Sequence, residues 1–211
     1  MQIIDQSTWP RKEMFDYYST ISCPFYMVTF KLDVTNVYDY AKAHGLSFYL
    51  AMVYLCTETV NSIETFRYAI KDGEVVLLDG RNPEFCDLKE GEEIFHVVNV
   101  ERGGTIDEFC RRAKEKSLKQ TKFMDADPGI DRIIFSCLPW VNMTALTNEH
   151  ELNAPDAADD TNLLLIWGKY EVIDGRRITH VSIDVNHRFI DGLSIGRFVE
   201  GLEKRIADLK I

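Results

Sequence analysis

The sequence contains no paired-cysteine motif. Its five cysteines, Cys23, Cys56, Cys86, Cys110 and Cys137, are odd in number and never form a Cys-x-x-Cys. That argues against a disulfide framework and a thiolate zinc site, and points to reduced thiols in a cytoplasmic protein. Histidine is also scarce. The five are scattered without metal-ligand spacing, so no metal is expected. No apolar run approaches the ~18 residues of a membrane span. The opening stretch MQIIDQSTWPRKEMF is charged and lacks an apolar core, so no signal peptide is expected. Positive charge is in short supply, with 24 Lys and Arg against 34 Asp and Glu and a net charge of −10. Without a basic stripe, binding to nucleic acid or an anionic membrane is not expected. A P-loop, a G-x-G-x-x-G after a strand and a G-x-S-x-G elbow are all absent. Nucleotide hydrolysis, dinucleotide redox chemistry and α/β-hydrolase chemistry therefore lose their support.

What is present is ordinary globular material, 45% hydrophobic and 27% charged over 211 residues. No linker, repeat or low-complexity stretch divides it, so residues 1–211 read as a single domain. Residues 10–20 read as a helix with Pro10 in its first turn. Residues 25–32 read as a strand. Asp33 or Thr35 caps a helix that runs to His44, and Ser47 caps a long apolar helix that should be buried. Asp72-Gly73 turns a hairpin within residues 66–78. Residues 84–88 and 92–100 read as further strands, 105–120 as an amphipathic helix and 132–138 as a strand ending at Pro139-Trp140. The acidic segment 148–161 reads as a surface loop. Residues 163–173 and 177–187 form a second hairpin at Asp174-Gly175. The last helix carries Leu193, Phe198, Leu202, Ile206 and Leu209 on one stripe. Hairpins mixed with isolated helices predict an α+β fold, with a mostly antiparallel mixed sheet flanked by helices.

The stretch Asn186-His187-Arg188-Phe189-Ile190-Asp191-Gly192 joins the last strand to the last helix. Alternation places Thr179, Val181, Ile183, Val185 and His187 on one face. A half-buried imidazole at a strand end is a good general base, because burial keeps it neutral near neutral pH. The residues alone equally allow a satisfied core histidine, with Asp191 as a helix N-cap.

Several further stretches accompany it. They are Trp9-Pro10-Arg11-Lys12-Glu13-Met14-Phe15, Leu32-Asp33-Val34-Thr35, Phe66 to Glu74, Ser136-Cys137-Leu138-Pro139-Trp140-Val141, and Gly168-Lys169-Tyr170. In this order, with His187 to Gly192 last, the chain resembles the chloramphenicol acetyltransferases over nearly its whole length. The resemblance implies a coenzyme-A-dependent acyltransferase fold and a homotrimer with active sites between subunits. It also implies acetyl transfer from acetyl-CoA to a substrate hydroxyl, the chemistry of antibiotic resistance, without a covalent acetyl-enzyme. His187 matches the family base, Ser136 the donor to the tetrahedral oxyanion, and Arg11 with Asp191 a bidentate pair that holds the site together. Phe25, Tyr26, Phe95 and Leu146 fall where the family lines its acceptor pocket. Cys137 is then no nucleophile but a buried, inert thiol. Trp140 is assigned to core packing by default.

The chain also departs from the family. Asn186 replaces the first of two successive histidines, and Ile166 replaces a threonine that holds a water near the oxyanion. Asn148 and His150 appear in a normally apolar stretch. An unpaired polar group in an apolar pocket costs about 1–3 kcal/mol, so the fit to an apolar antibiotic weakens. Alternatives are an O-acetyltransferase acting on a different hydroxyl acceptor, a multienzyme acyltransferase core, and a non-catalytic trimeric binding protein. The missing lipoyl and peripheral-subunit-binding segments argue against the second of these.

Overall fold

The computed structural model describes residues 1–124, 129–154 and 157–210. In chain order the elements are β1 (Gln2–Ile3), α1 (Lys12–Ser19), β2 (Phe25–Asp33), α2 (Thr35–Ala43), α3 (Phe48–Asn61), β3 (Tyr68–Lys71), β4 (Glu74–Leu77) and β5 (Asn82–Asp87). They continue with β6 (His96–Asn99), α4 (Ile106–Lys119), β7 (Arg132–Leu138), β8 (Leu163–Gly168), β9 (Glu171–Ile173), β10 (Arg176–Asn186) and α5 (Gly192–Ala207).

The main sheet has the order β2-β10-β8-β7-β5-β6, with β9 added beside β10. The pairs β5–β7 and β7–β8 are parallel and the others antiparallel, which is the mixed α+β arrangement expected. A small sheet, β1-β4-β3, stands apart. Both Asp-Gly hairpins form. Asp72 (φ 53°) with Gly73 and Asp174 (φ 49°) with Gly175 supply the left-handed residues that such turns need.

One face of the main sheet is covered by helices. Val181, Ile183, Val185, Leu165, Trp167, Ile133 and Phe135 pack there against α3 residues such as Leu50, Val53 and Val60. Ser47 accepts the Leu50 N–H and so starts α3 as expected. The opposite face carries a smaller apolar cluster, Met143, Leu164 and Ile166, with Ile134, Leu138 and Leu146 at its margin.

Several elements differ from the sequence expectation. The strand expected over 92–100 shortens to His96–Asn99, because Glu92, Glu93 and Ile94 are exposed and have no apolar surface to cover. The strand expected over 163–173 breaks between β8 and β9. There the Lys169 N–H bonds to the Val141 carbonyl, and a Cβ on Gly168 would sit 2.6 Å from that oxygen. Only glycine lets the loop after β7 come so close. Leu193 leaves the apolar stripe of α5 and is exposed, and Ile195 takes its place beside Phe198, Leu202 and Ile206. Asp33 accepts from the Thr35 N–H and hydroxyl one residue ahead of the α2 N-cap, Val34. The expected 148–161 loop contains a short turn at Ala157–Asp159, and residues 155 and 156 lie outside the described residues.

Candidate active site

β10 ends at Asn186, and the next residue, His187, is fixed through its backbone: its N–H donates to the Pro24 carbonyl at 2.7 Å. The register puts Tyr26 opposite Val185, so alternation sends the His187 and Tyr26 side chains to the helix-covered face. Two tyrosines enclose the imidazole. Tyr18 of α1 stacks on it with centroids 3.9 Å apart and planes 26° apart, and Tyr26 tilts against it at 4.3 Å. This desolvation lowers the His187 pKa below the ordinary 6.5, and the charge of Asp191 only partly offsets it. A neutral, half-buried imidazole at neutral pH is the state a general base needs.

The loop after His187 is braced from the N-terminal segment. One Arg11 nitrogen, Nη2, donates to Asp191 Oδ2 at 2.9 Å and to the Phe189 carbonyl at 2.8 Å. The expected bidentate fork is therefore replaced by a single nitrogen that bridges a carboxylate and a carbonyl. The other carboxylate oxygen, Oδ1, accepts from the Ser194 N–H and hydroxyl, both at 2.8 Å. Asp191 is thus both the N-cap of α5 and the partner of Arg11. Burial alone would raise its pKa, but the Ser194 N–H, Arg11 and the Ser194 hydroxyl outweigh burial and hold it at about 2. Below the brace, Trp9, Phe15, Tyr68 and Phe189 form an aromatic cluster with centroid separations of 5.1 to 6.2 Å. This cluster fixes the segment that carries Arg11 against the loop that carries Phe189.

Ser136 lies elsewhere. The register aligns Ser136 with Ile166 on β8, Ile166 with Ser182 on β10, and Ser182 with Thr29 on β2. Residues in one such row share a face, and Ser182 alternates against His187. Ser136 and His187 therefore lie on opposite faces of the sheet. Five residues of rise and two strand spacings also separate them, about 19 Å in the plane of the sheet.

Ser136 lines a cavity of about 600 Å³ with Tyr49, Phe95, Trp140, Lys169 and Tyr170. Trp140, assigned to core packing by default, is 73% exposed, because the chain leaves the sheet at Pro139 and carries its ring to this cavity mouth. Cys137 sits beside Ser136, and burial pushes its thiol up to about 12, so it is inert at neutral pH.

The four expected pocket residues do not converge within one chain. Tyr26 lies beside His187, Phe95 lines the cavity of Ser136, Leu146 joins the apolar cluster on the far face, and Phe25 stacks on His150. Sequence reasoning missed Tyr18, since nothing local ties a tyrosine of α1 to a strand end so far along the chain. It also missed the Thr29–Ser182 hydroxyl pair, 2.9 Å apart, on the row of Ser136. Among the described residues there is no cluster of three or more His, Cys, Asp or Glu able to hold a metal, and no helix long and apolar enough to cross a membrane.

Comparison with known proteins agrees with the architecture. The family model described as chloramphenicol acetyltransferase matches residues 1–203. Chloramphenicol acetyltransferase 3 of Escherichia coli is 28% identical over 205 residues, covering 95% of this chain and 94% of the relative. The Clostridium perfringens chloramphenicol acetyltransferase is 30% identical over 209 residues, covering 96% and 97%. A solved chloramphenicol acetyltransferase superposes with a TM-score of 0.85 at 26% identity, over 97% of this chain and 99% of that one. A solved dihydrolipoamide acetyltransferase of Azotobacter vinelandii shares the fold, with a TM-score of 0.68 at 17% identity over 91% of this chain and 85% of that one. Matched end to end in sequence and in fold, the chain belongs to the chloramphenicol acetyltransferase family.

Proposed function

We propose that the protein is an O-acetyltransferase that moves the acetyl group of acetyl-CoA to the hydroxyl of a small acceptor, as a single acetyltransferase domain. The reading rests above all on His187, a desolvated imidazole clasped by Tyr18 and Tyr26 and braced through Asp191 to Arg11. In this reading neutral His187 takes the acceptor's hydroxyl proton while the oxygen attacks the thioester carbonyl. The Ser136 hydroxyl donates to the oxyanion that forms. The tetrahedral species collapses, the carbon–sulfur bond breaks, and the departing thiolate takes the proton back from the imidazolium. An acetate ester and free coenzyme A leave. The apolar cavity beside Ser136, with Lys169 at its wall, suits the pantetheine arm and a phosphate of the donor.

Because Ser136 and His187 lie on opposite faces of one sheet, this mechanism requires two chains. We place the working site between subunits of a homotrimer in the cytoplasm, with His187 from one subunit and Ser136 with the acceptor pocket from its neighbour. Head-to-tail contacts of this kind close into a ring. Chloramphenicol is the first acceptor to test, and the polar His150 on the far face favours a second reading with a different hydroxyl compound. Thiol release from acetyl-CoA, followed with chloramphenicol and with a panel of other alcohols, tests both. Turnover that vanishes in His187→Ala supports the acetyltransferase. Acetyl-CoA binding without turnover for any acceptor would leave a non-catalytic binding protein.

A further inference from the structure

The cavity beside Ser136 lies at the carboxyl ends of β5, β7 and β8, three neighbouring strands paired in parallel. β5 ends there at Asp87, β7 at Leu138 and β8 at Gly168. Residues from both faces of the sheet line it, so Ser136 and Asp87 share one cavity although alternation points their side chains oppositely. Its charged lining residues are Asp87, Glu93 and Lys169. Glu93 and Lys169 are exposed, whereas Asp87 is half-buried.

Asp87 is held from behind. Its Oδ2 accepts the hydroxyl of Ser117 from α4, and its Oδ1 accepts the Leu88 N–H at 3.1 Å. Ser117 Oγ in turn lies 3.0 Å from His96 Nε2. A hydroxyl has one proton, and Ser117 gives it to Asp87. The His96 proton in this contact therefore sits on Nε2 and is donated to Oγ. His96 and Ser117 are 5% and 2% exposed, so two buried donors in line fix the carboxylate. Each Asp87 oxygen has one donor and room for a second.

Position gives those open lone pairs a use. Phe85 is level with Phe135 in the parallel register, which puts Asp87 one strand spacing and one residue of rise from Ser136. That is about 6 Å between Cα atoms. In the acetyltransferase reading the pantetheine arm lies in this cavity with its thioester carbonyl at Ser136. The first amide N–H of the arm stands two methylenes from the sulfur, about 4 Å at ordinary bond lengths. In a mostly apolar cavity that N–H needs an acceptor.

We infer that Asp87 is a donor-binding residue: its carboxylate accepts the amide N–H nearest the sulfur of the thioester donor, and Ser117 and His96 are the positioning residues that aim it. The inference rests on the acetyltransferase reading and names what the donor must carry, an amide N–H two methylenes from its sulfur.

The test adds two small thioesters to acetyl-CoA. S-acetyl-N-acetylcysteamine has that amide, and S-acetyl-2-mercaptoethyl acetate has an ester oxygen in place of the N–H. The wild type should use the amide with a kcat/KM about tenfold to hundredfold above the ester, the worth of one hydrogen bond to a charged group. In Asp87→Asn the Ser117 hydroxyl still donates to the remaining carbonyl, which turns the new amide NH₂ toward the cavity. That variant should lose the preference and lower kcat/KM for acetyl-CoA by the same factor. Its kcat/KM for the ester, and the KM for the acceptor, should stay within about twofold. Ser117→Ala, which lets Asp87 swing, should shrink the preference in the same direction, and it carries the test should Asp87→Asn not fold. Equal use of amide and ester by the wild type would overturn the inference. So would an equal fall on both small donors in either variant, which marks Asp87 as structural. Absence of thiol release from every donor with every acceptor is a different result, which removes the acetyltransferase reading and this inference with it.

Discussion

Tyr18 lies nearly flat on His187, 3.9 Å between ring centroids, although one belongs to the first helix and the other follows the last strand. The tyrosine shields one face of the imidazole, and desolvation lowers the His187 pKa. A group with a lowered pKa stays neutral to a lower pH, so the acid limb of kcat/KM should fall below 6.5. Tyr18→Phe keeps the ring and should leave the limb in place. Tyr18→Ala should rehydrate the imidazole, move the limb up toward the ordinary histidine value, and lower kcat/KM by about tenfold. A pH–rate profile of the three proteins decides this.

His187→Ala should reduce kcat by about 10²–10⁴-fold, the usual contribution of a general base. Ser136→Ala should reduce it by about 10²–10³-fold, as for other lost oxyanion donors. Circular dichroism should be unchanged in both, because His187 and Ser136 are only half-buried.

Mixing those two variants tests the shared site. Each homotrimer alone should be nearly inactive. Unfolded together and refolded, they should regain about one quarter of wild-type turnover, since random mixing around a closed ring joins an intact His187 to an intact Ser136 at one site in four. No recovery would place both residues in one subunit's site.

The carboxylate of Asp191 predicts an acid-sensitive brace. Its folded-state pKa of about 2 lies below the ordinary 3.8, so its contribution is present above the ordinary value and lost as the pH falls through the folded one. Arg11→Ala should be less stable than the wild type at neutral pH. The gap in urea midpoints should narrow between about pH 5 and pH 2.

Cys137→Ala should keep near wild-type turnover, and iodoacetamide at neutral pH should inactivate slowly. The thiol at about 12 carries almost no thiolate there. Rapid loss of activity tied to Cys137 would instead argue for an acetyl-enzyme.

Local chemistry made some of this legible in the sequence. Period-two alternation placed His187 on the apolar side of its strand. Asp72-Gly73 and Asp174-Gly175 announced both hairpins, because few other dipeptides accept two left-handed residues in a row. Ser47 and Asp191 were readable as caps because a short oxygen-bearing side chain ahead of a helix accepts one of its free N–H groups. The Arg11–Asp191 contact came only from the family resemblance, since an arginine in a charged N-terminal run says nothing of a partner near the other end. Trp140 was misplaced because composition favours burying tryptophan, whereas its exposure follows from where Pro139 turns the chain. The opposition of Ser136 and His187 depends on the order and register of three strands, β7, β8 and β10, which no local pattern encodes.

One carboxylate joins the two ends of this chain. Asp191 begins the C-terminal helix with one oxygen and ties down the N-terminal segment with the other. Fraying of either terminus therefore reaches the other through a few atoms. A truncation that removes Arg11 should loosen the start of α5, and shortening α5 should free the segment around Trp9. Either cut should release the loop that follows His187. In such a molecule, heat inactivation and unzipping of the chain ends should be a single event seen by two probes.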